Sequence, residues 1–246
     1  MVDFPLFLCY NSIEIRGCRG IFMEIGGIDL LGIDRVLKRG SGEIIEHTAS
    51  SLFVRDLVSG AYFLACDDLS GGLSLLERYA DRDYKLLMVA NETLGKVAFE
   101  RFGFSEKLEC CQVAYFGEKP SPDPRLSVRV ADEKDFPILA ENYRLISREE
   151  LKAVIRRGSI LLGYAGGNLV GFIGEHLEGS MGLLYVFPQY RRKGFGSALQ
   201  TALIAKTMDR GFVPFGQVEK DNQNSFGLQK KLGMTCSENR IVWMWK

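Results

Sequence analysis

The pattern of hydrophobic and polar positions divides the second half of the chain into short helices and strands. Two segments of helical periodicity, 133–143 and 148–157, precede two apolar strands at 159–165 and 168–176 that a Gly-Gly turn joins. The same patterns then predict a strand at 181–186, a helix at 197–210, a strand at 212–218, a helix at 224–232 and a strand at 241–245. This order predicts an α/β (α+β) fold with one mixed sheet and helices on both of its faces.

The first half of the chain repeats part of this pattern. It contains a predicted strand at 62–66 and a helix at 73–79. The segment 99–104 has the same character as 229–234, and a hydrophobic strand follows each of them. Such a repeat suggests an internal duplication, although any helix–glycine–strand unit would look similar. Residues 1–60 have weak periodicity and predict no more than mixed α/β structure.

A proline-rich segment separates the two halves. Residues 117–125, GEKPSPDPR, hold three prolines and charges of both signs, which is typical of a linker. The predicted organisation is therefore an accessory or degenerate α/β domain at 1–116, a linker at 117–125 and a second domain at 126–246.

The segment 184–199, LYVFPQYRRKGFGSAL, carries the clearest chemistry. A short strand stops at Pro188, and three cations and two glycines then precede a helix. The unpaired amides at a helix start attract anions, and glycines let a ligand approach the backbone. The loop therefore predicts a pyrophosphate site, the alternative being an ordinary basic loop before a helix. Neither a dinucleotide fingerprint nor a P-loop fits, since Leu199 replaces the third glycine and Lys193 precedes its glycine.

The spacing Arg191-x-x-Gly194-x-Gly196 resembles the acyl-CoA signature Q/R-x-x-G-x-G/A of the GNAT superfamily of N-acetyltransferases. Segments 174–186, 214–225 and 228–234 resemble, in the expected order, the hairpin, the neighbouring strand and the closing helix of that superfamily. The resemblance implies a GNAT fold at 126–246, with two such domains in tandem if the duplication is real. It also implies acetyl-CoA as co-substrate, held in a gap between two splayed strands.

The resemblance assigns cofactor roles residue by residue. Cations and helix-start amides would hold the pyrophosphate, polar groups before the last helix would touch the pantetheine arm, and backbone amides of the splayed strand would stabilise the oxyanion. Asn222 has a second reading as a plain helix cap. The residues in these roles are Arg191, Arg192, Lys193, Gly194, Phe195, Gly196 and Ser197 for the pyrophosphate, Asn222 and Ser225 for pantetheine, and Tyr185 and Val186 for the oxyanion.

The reaction implied is direct attack of an amine on the thioester, which needs a group to remove a proton. Glu175 and His176 are the two base candidates, and only one of them can face the cleft because neighbours on a strand point to opposite faces. A solvated strand end is the alternative for both. Many members of the superfamily have a tyrosine acid where this chain has Gln229, and an amide cannot donate a proton in that way.

The first half is predicted to lack a phosphate site. Asp67 and Asp68 stand where the second half has its cations, and two carboxylates there would repel a phosphate. One cofactor per chain is therefore expected.

Composition limits the remaining classes. The 246 residues are 46% hydrophobic, and 31 basic side chains balance 31 acidic ones, which argues against a nucleic-acid partner. No apolar run reaches the roughly 18 residues of a membrane span, and an early Asp3 argues against a signal peptide. Six cysteines without CxxC spacing and two histidines predict no metal site. A cytoplasmic location is expected.

These observations predict a cytoplasmic N-acetyltransferase that acts on a small-molecule amine. Two alternatives stay open: a sensor that binds acyl-CoA without turnover, and a transferase that modifies a protein or peptide amine. The sequence does not decide the oligomeric state, a homodimer included.

Overall fold

The computed structural model describes residues 27–82 and 84–246, so the first part of the predicted 1–116 domain lies outside the described residues. Short 3-10 helices at Ile28–Leu30, Glu133–Asp135 and Pro188–Tyr190 accompany the main elements. The strands are β1 Gly42–His47, β2 Ser51–Asp56, β3 Tyr62–Cys66, β4 Leu86–Val89, β5 Glu106–Ala114, β6 Ser127–Val130, β7 Ile160–Ala165, β8 Asn168–Glu175, β9 Met181–Val186, β10 Phe215–Glu219 and β11 Thr235–Trp245. The helices are α1 Leu31–Lys38, α2 Leu69–Arg78, α3 Glu92–Arg101, α4 Phe136–Asn142, α5 Arg148–Arg156, α6 Phe195–Asp209 and α7 Gln223–Lys231.

The strands form one mixed sheet across both halves of the chain. The order of this 11-stranded sheet is β1-β2-β3-β4-β11-β5-β10-β9-β8-β7-β6. The last strand of the chain, β11, lies between β4 and β5, and β5 in turn pairs with β10 of the second half. Each half thus places its final strand against the other half, and the sheet does not divide at the 117–125 linker.

The two halves share one order of elements. In both, a helix and a three-stranded antiparallel run lead to a helix, a strand, a further helix and a final strand. The last helix of each run begins in the same way: the Asn91 side chain accepts the amide of Leu94, and the Asn222 side chain accepts the amide of Ser225. This repeated order supports the internal duplication that the sequence pattern suggested, which stays a prediction.

Several predicted elements shift at their ends for local reasons. The predicted helix 133–143 begins as a 3-10 turn with a capping box at Asp132, and α4 follows. The helix predicted at 197 begins at Phe195 because Gly194, with a φ of 87°, takes the cap position. The strand predicted at 212–218 begins only after Pro214, which has no N–H to donate. The final strands of both halves are longer than predicted.

The core lies on both faces of the sheet. On one face, α6 and α7 cover a cluster that includes Val170, Leu199 and Val218. On the opposite face, α4 and α5 cover a cluster with Phe172 and Leu183. Helix α6 packs very closely on the sheet because a Cβ at Gly163 would lie 2.7 Å from the Leu199 side chain. This close contact between α6 and β7 fixes the position of the α6 start relative to β9.

Candidate active site

Strands β9 and β10 form a fork in the sheet. They are parallel, and their ladder pairs at one position, Met181 with Gly216. A Cβ at Gly216 would lie 2.8 Å from the carbonyl oxygen of Met181, so this close contact requires glycine. Beyond it, β9 bulges at Leu183, whose φ of 48° is uncommon for a branched side chain. The corresponding strands of the first half, β3 and β4, stay paired at three positions, so the gap is specific to the second half.

The open end of the fork leads to the start of α6. Helix α6 has 15 residues, and no side chain in the described part of the chain caps its first amides. The amides of the first three residues, Phe195, Gly196 and Ser197, precede the first helical hydrogen bond, which Ala198 donates to the Gly194 carbonyl. The glycine-containing loop therefore presents free donors at the positive end of a helix dipole.

Three cations surround this helix start. Arg191 donates from Nε to the Val186 carbonyl at 2.9 Å, and its guanidinium lies 5.7 Å from the centre of the Tyr185 ring. The Lys193 ammonium lies 5.8 Å from the Tyr190 ring centre. Among the residues that the structure describes, no carboxylate forms a salt bridge with Arg191, Arg192 or Lys193. Their charge is therefore available to an anion at the α6 start.

The equivalent helix of the first half is closed to anions. The Asp68 carboxylate accepts the Gly71 amide at 2.6 Å and the Ser70 hydroxyl at 2.8 Å, and so caps α2. These hydrogen bonds lower the pKa of Asp68, which keeps it charged. A carboxylate thus occupies the place that a phosphate would take at α6. The single cofactor site per chain stays a prediction that this contrast supports.

The residues predicted around the pantetheine arm and the oxyanion have identifiable structural roles. The Asn222 side chain accepts the Ser225 amide at 3.0 Å and so caps α7. This is the role of a simple helix cap, the alternative that the sequence also offered for Asn222. The Tyr185 ring stacks on Phe172 with centroids 5.4 Å apart, so it packs against the α4–α5 face. Val186, at the end of β9, has its carbonyl engaged by Arg191. Contact of Asn222, Ser225, Tyr185 and Val186 with a cofactor stays a prediction.

Glu175 does not suit the role of base for which the sequence nominated it. Its carboxylate is 3% exposed and accepts from Arg210 at 2.5 and 2.6 Å, from Thr207 at 2.8 Å and from Arg35 at 3.2 Å. Burial alone would raise the pKa of Glu175, but these partners outweigh it and lower the pKa. The strand end is not solvated, and a charge held so firmly is a poor proton acceptor.

We expect Glu175→Gln to act on stability. The variant leaves two arginines facing a neutral amide, which should cost about 3–5 kcal/mol of unfolding free energy at pH 7. Because the folded pKa is lowered, the Glu175 contribution is full above the unfolded pKa of about 4.3 and disappears as the pH falls through the folded value. Urea unfolding from pH 7 to pH 3 should therefore show the two curves converging. Glu77→Gln, which removes the exposed partner of Arg101, is the control, and an equal loss there would contradict this assignment.

His176 lies on the other face of the sheet, over the fork. Its ring stands directly above Gly182, where a Cβ would collide with Nε2. Its Nδ1 lies 3.6 Å from the Glu150 carboxylate on α5. Burial lowers the pKa of His176, but the carboxylates of Glu150 and Glu178 outweigh it, so the pKa is raised. Of the two predicted bases, His176 is the one that the fold places beside the gap.

Gln229 is engaged in a contact between α6 and α7. It is buried and pairs with Gln200 on α6, whose Nε2 donates to the Gln229 Oε1 at 2.6 Å. Gln200 also reaches the Met234 sulfur at 3.3 Å. This amide pair holds α7 against α6 and offers no acid to a leaving thiolate.

Two side chains near the fork have no signal in the sequence. Tyr143, just after α4, packs edge-on against Phe172, and burial raises its pKa while the Leu183 amide opposes the rise. Gln217 follows Gly216, the position at which β10 pairs with β9. Its side-chain oxygen accepts from the Trp243 indole at 2.9 Å. Val218 faces α6, so Gln217 points to the face that carries His176. Only the pairing of distant strands shows that these groups border the gap.

The linker also reaches this region. Arg125 is held by Asp123 at 2.7 Å, lies 5.8 Å from the Phe195 ring centre and donates to the Lys193 carbonyl at 3.4 Å. It borders a surface groove with Ser197 and Lys231. The groove adds positive charge beside the α6 start.

Comparison with known proteins agrees with this geometry. Residues 118–234 match the model of the acetyltransferase (GNAT) family. Over these residues the chain is therefore similar to the GNAT acetyltransferases, a family of acyltransferases. No curated protein matches the chain significantly.

Solved structures share the fold over both halves. A GCN5-related N-acetyltransferase from Kribbella flavida is 12% identical, covers 88% of this chain and 93% of its own, and superposes with a TM-score of 0.56. A GCN5-related N-acetyltransferase-like protein from Streptococcus suis is 16% identical over 87% and 92%, with a TM-score of 0.53. A Drosophila protein is 17% identical over 80% and 73%, with a TM-score of 0.59. The mixed α/β fold of this chain is thus the fold of GNAT acetyltransferase structures.

The described residues lack two features. No helix among them is long and apolar enough to span a membrane. No group of histidine, cysteine and acidic side chains within the same residues could hold a metal ion.

Proposed function

We propose that this protein is an N-acetyltransferase that transfers an acetyl group from acetyl-CoA to a small-molecule amine. The observation that carries the proposal is the contrast between the two halves. The second half has an open strand fork that leads to an uncapped helix start with free cations. The first half has a closed strand pair and a helix capped by Asp68.

The roles follow from the geometry. The amides of Phe195, Gly196 and Ser197 bind the diphosphate, and the cations Arg191, Arg192 and Lys193 add charge to it. The pantetheine arm lies in the gap between β9 and β10, with the thioester near the bulge at Leu183. The amides of Tyr185 and Val186 are the candidates for stabilising the oxyanion.

The amine approaches from the face that carries His176. A neutral imidazole accepts the proton of the attacking amine, the new C–N bond forms at the thioester carbonyl, and the C–S bond then breaks. The sulfur leaves as CoA thiolate, with a proton from water or from a nearby tyrosine such as Tyr143. A thiolate is a good leaving group, so the absence of an acid at Gln229 does not stop the reaction.

A two-part assay tests this function. Calorimetry with CoA should show binding at one site per chain. CoA release from acetyl-CoA should then depend on an added amine, measured over a panel of amino acids, polyamines and short peptides with free amino groups. Binding without amine-dependent release would favour a sensor, and preference for peptides would favour a protein-modifying enzyme. Absence of binding to folded protein would refute the proposal.

The remaining properties are expectations of the same proposal. The amine is a small molecule that meets the protein in the cytoplasm, and neither nucleic acid nor membrane takes part. Size-exclusion chromatography with light scattering would show whether the protein is a homodimer.

A further inference from the structure

Helix α1 belongs to the first half of the chain but contacts the second half through two arginines. One face of α1 packs into the sheet core of its own half through Ile33 and Val36. Arg35, which is 3% exposed, donates to the Glu175 carboxylate at 3.2 Å and to the Val213 carbonyl at 3.0 Å. The helix is therefore anchored in one half and bonded to the other.

Arg35 joins both sides of the fork at its closed end. Glu175 ends β8 and pairs with Met181, the first residue of β9. Val213 lies just before β10, and the Arg35 guanidinium is 4.6 Å from the Phe212 ring centre and 5.2 Å from that of Phe215. One guanidinium thus fixes the end of β8 relative to the approach to β10.

Arg39, at the end of α1, holds the next part of the same hairpin. It donates to the Leu177 carbonyl at 2.7 Å. Its direction is set by Asp56, a fully buried carboxylate at 2.7 Å, and by Ser41 at 2.6 Å. Because Asp56 and Ser41 hold the guanidinium, it has little freedom to move away from the Leu177 carbonyl.

The residues on both sides of His176 are therefore bonded to α1. Arg35 holds the Glu175 side chain, and Arg39 holds the Leu177 carbonyl. His176 itself forms a tight turn, since its amide donates to the Ser180 carbonyl at 2.9 Å and its carbonyl accepts from Gly179 at 3.0 Å. The direction of the imidazole therefore depends on a turn whose flanking residues are hydrogen-bonded to α1 of the first half.

We propose that α1 of the first half is a positioning element for the active site of the second half, with Arg35 and Arg39 as positioning residues that aim His176 into the fork. This inference rests on the proposed function for its catalytic meaning. It gives the first half, whose α2 start is capped by Asp68 and whose β3 and β4 stay paired, a role in the reaction. The contacts are to the strand end and the turn, so neither arginine needs to touch substrate or cofactor.

The test measures the His176 pKa directly by NMR titration of the full chain. Arg35→Met keeps an unbranched side chain against Phe212 and Phe215, and Glu175 retains Arg210. Loss of a nearby cation would by itself raise the His176 pKa, whereas release of the ring from Glu150 lowers it towards about 6.5. We expect a fall, together with a loss of about tenfold to a hundredfold in amine-dependent CoA release and unchanged CoA affinity.

Controls keep the outcome clear. The chain has two histidines, so His47→Gln assigns the signals. Arg101→Met removes an exposed arginine–glutamate pair elsewhere in the first half and should change neither the pKa nor turnover. If Arg35→Met does not fold, Arg39→Lys keeps the charge beside Asp56 without the planar fork, and the same fall is expected. A His176 pKa that stays constant or rises in the folded variant overturns the proposal. Wild-type protein without amine-dependent release would refute the proposed function alone, because the pKa measurement needs no turnover.

Discussion

Gly196→Asp should weaken CoA binding strongly while leaving the fold intact. Gly196 lies in the first turn of α6, and among the described residues a Cβ there would meet only the Val186 side chain, at 3.8 Å. A carboxylate in the first turn of a helix is favourable by about 0.3–1 kcal/mol, so the melting temperature should not fall. Near a diphosphate, however, it introduces a repulsion of about 4 kcal/mol per charge pair at close range. Calorimetry should show affinity for CoA weakened by about a hundredfold or more.

The matched control is Gly196→Ala. It adds the same Cβ without the charge, and alanine is the other residue of the Q/R-x-x-G-x-G/A signature. Affinity close to wild type is expected, with a small gain in helix stability. Equal losses in both variants would mean that space rather than charge matters at this position. Unchanged affinity in Gly196→Asp would place the diphosphate elsewhere.

The two halves differ at the cap residue of the corresponding helix. In α2, Asp68 takes the cap position and its carboxylate accepts the Gly71 amide. In α6, Gly194 takes that position in a left-handed conformation and leaves the amides free. One residue type at the cap position therefore separates a helix start whose amide is capped from one whose amides could bind an anion.

The strand–loop–helix unit at 184–199 could be predicted because its parts are contiguous. Strand, cations, glycines and helix follow one another within 184–199, so local rules suffice. The pairing of strands between the two halves could not be predicted, because the hydrophobic periodicity of a strand is the same whichever partner strand it takes. The pairing of β11 with β4 joins Val242 to Val89, positions far apart in the chain.

The site residues show the same division. The fate of Glu175 is decided by Arg35, 140 positions away, and by Arg210, 35 positions away. Gln229 is oriented by Gln200, 29 positions earlier. Nothing in the neighbourhood of either residue indicates these partners. The alternation of a strand did predict that Glu175 and His176 face opposite ways, and the structure decides which of them faces the fork.

His176→Gln should remove most of the turnover without changing CoA affinity. A positioned base contributes about 10²–10⁴ to the rate, and glutamine can fill the space but cannot accept the proton. In the wild type the base works only when neutral. Because Glu150 and Glu178 raise the pKa of His176 against the opposing effect of burial, turnover should rise with pH through a midpoint above about 6.5 and then level off.

The pH profile separates this role from a structural one. His176→Gln should lose the inflection, while Glu150→Gln should keep it and move it to lower pH, because one carboxylate that favours the protonated ring is gone. Glu150→Gln should therefore be relatively more active than the wild type on the acid side. A profile that keeps its midpoint and its height in His176→Gln would show that another group, or water alone, deprotonates the amine.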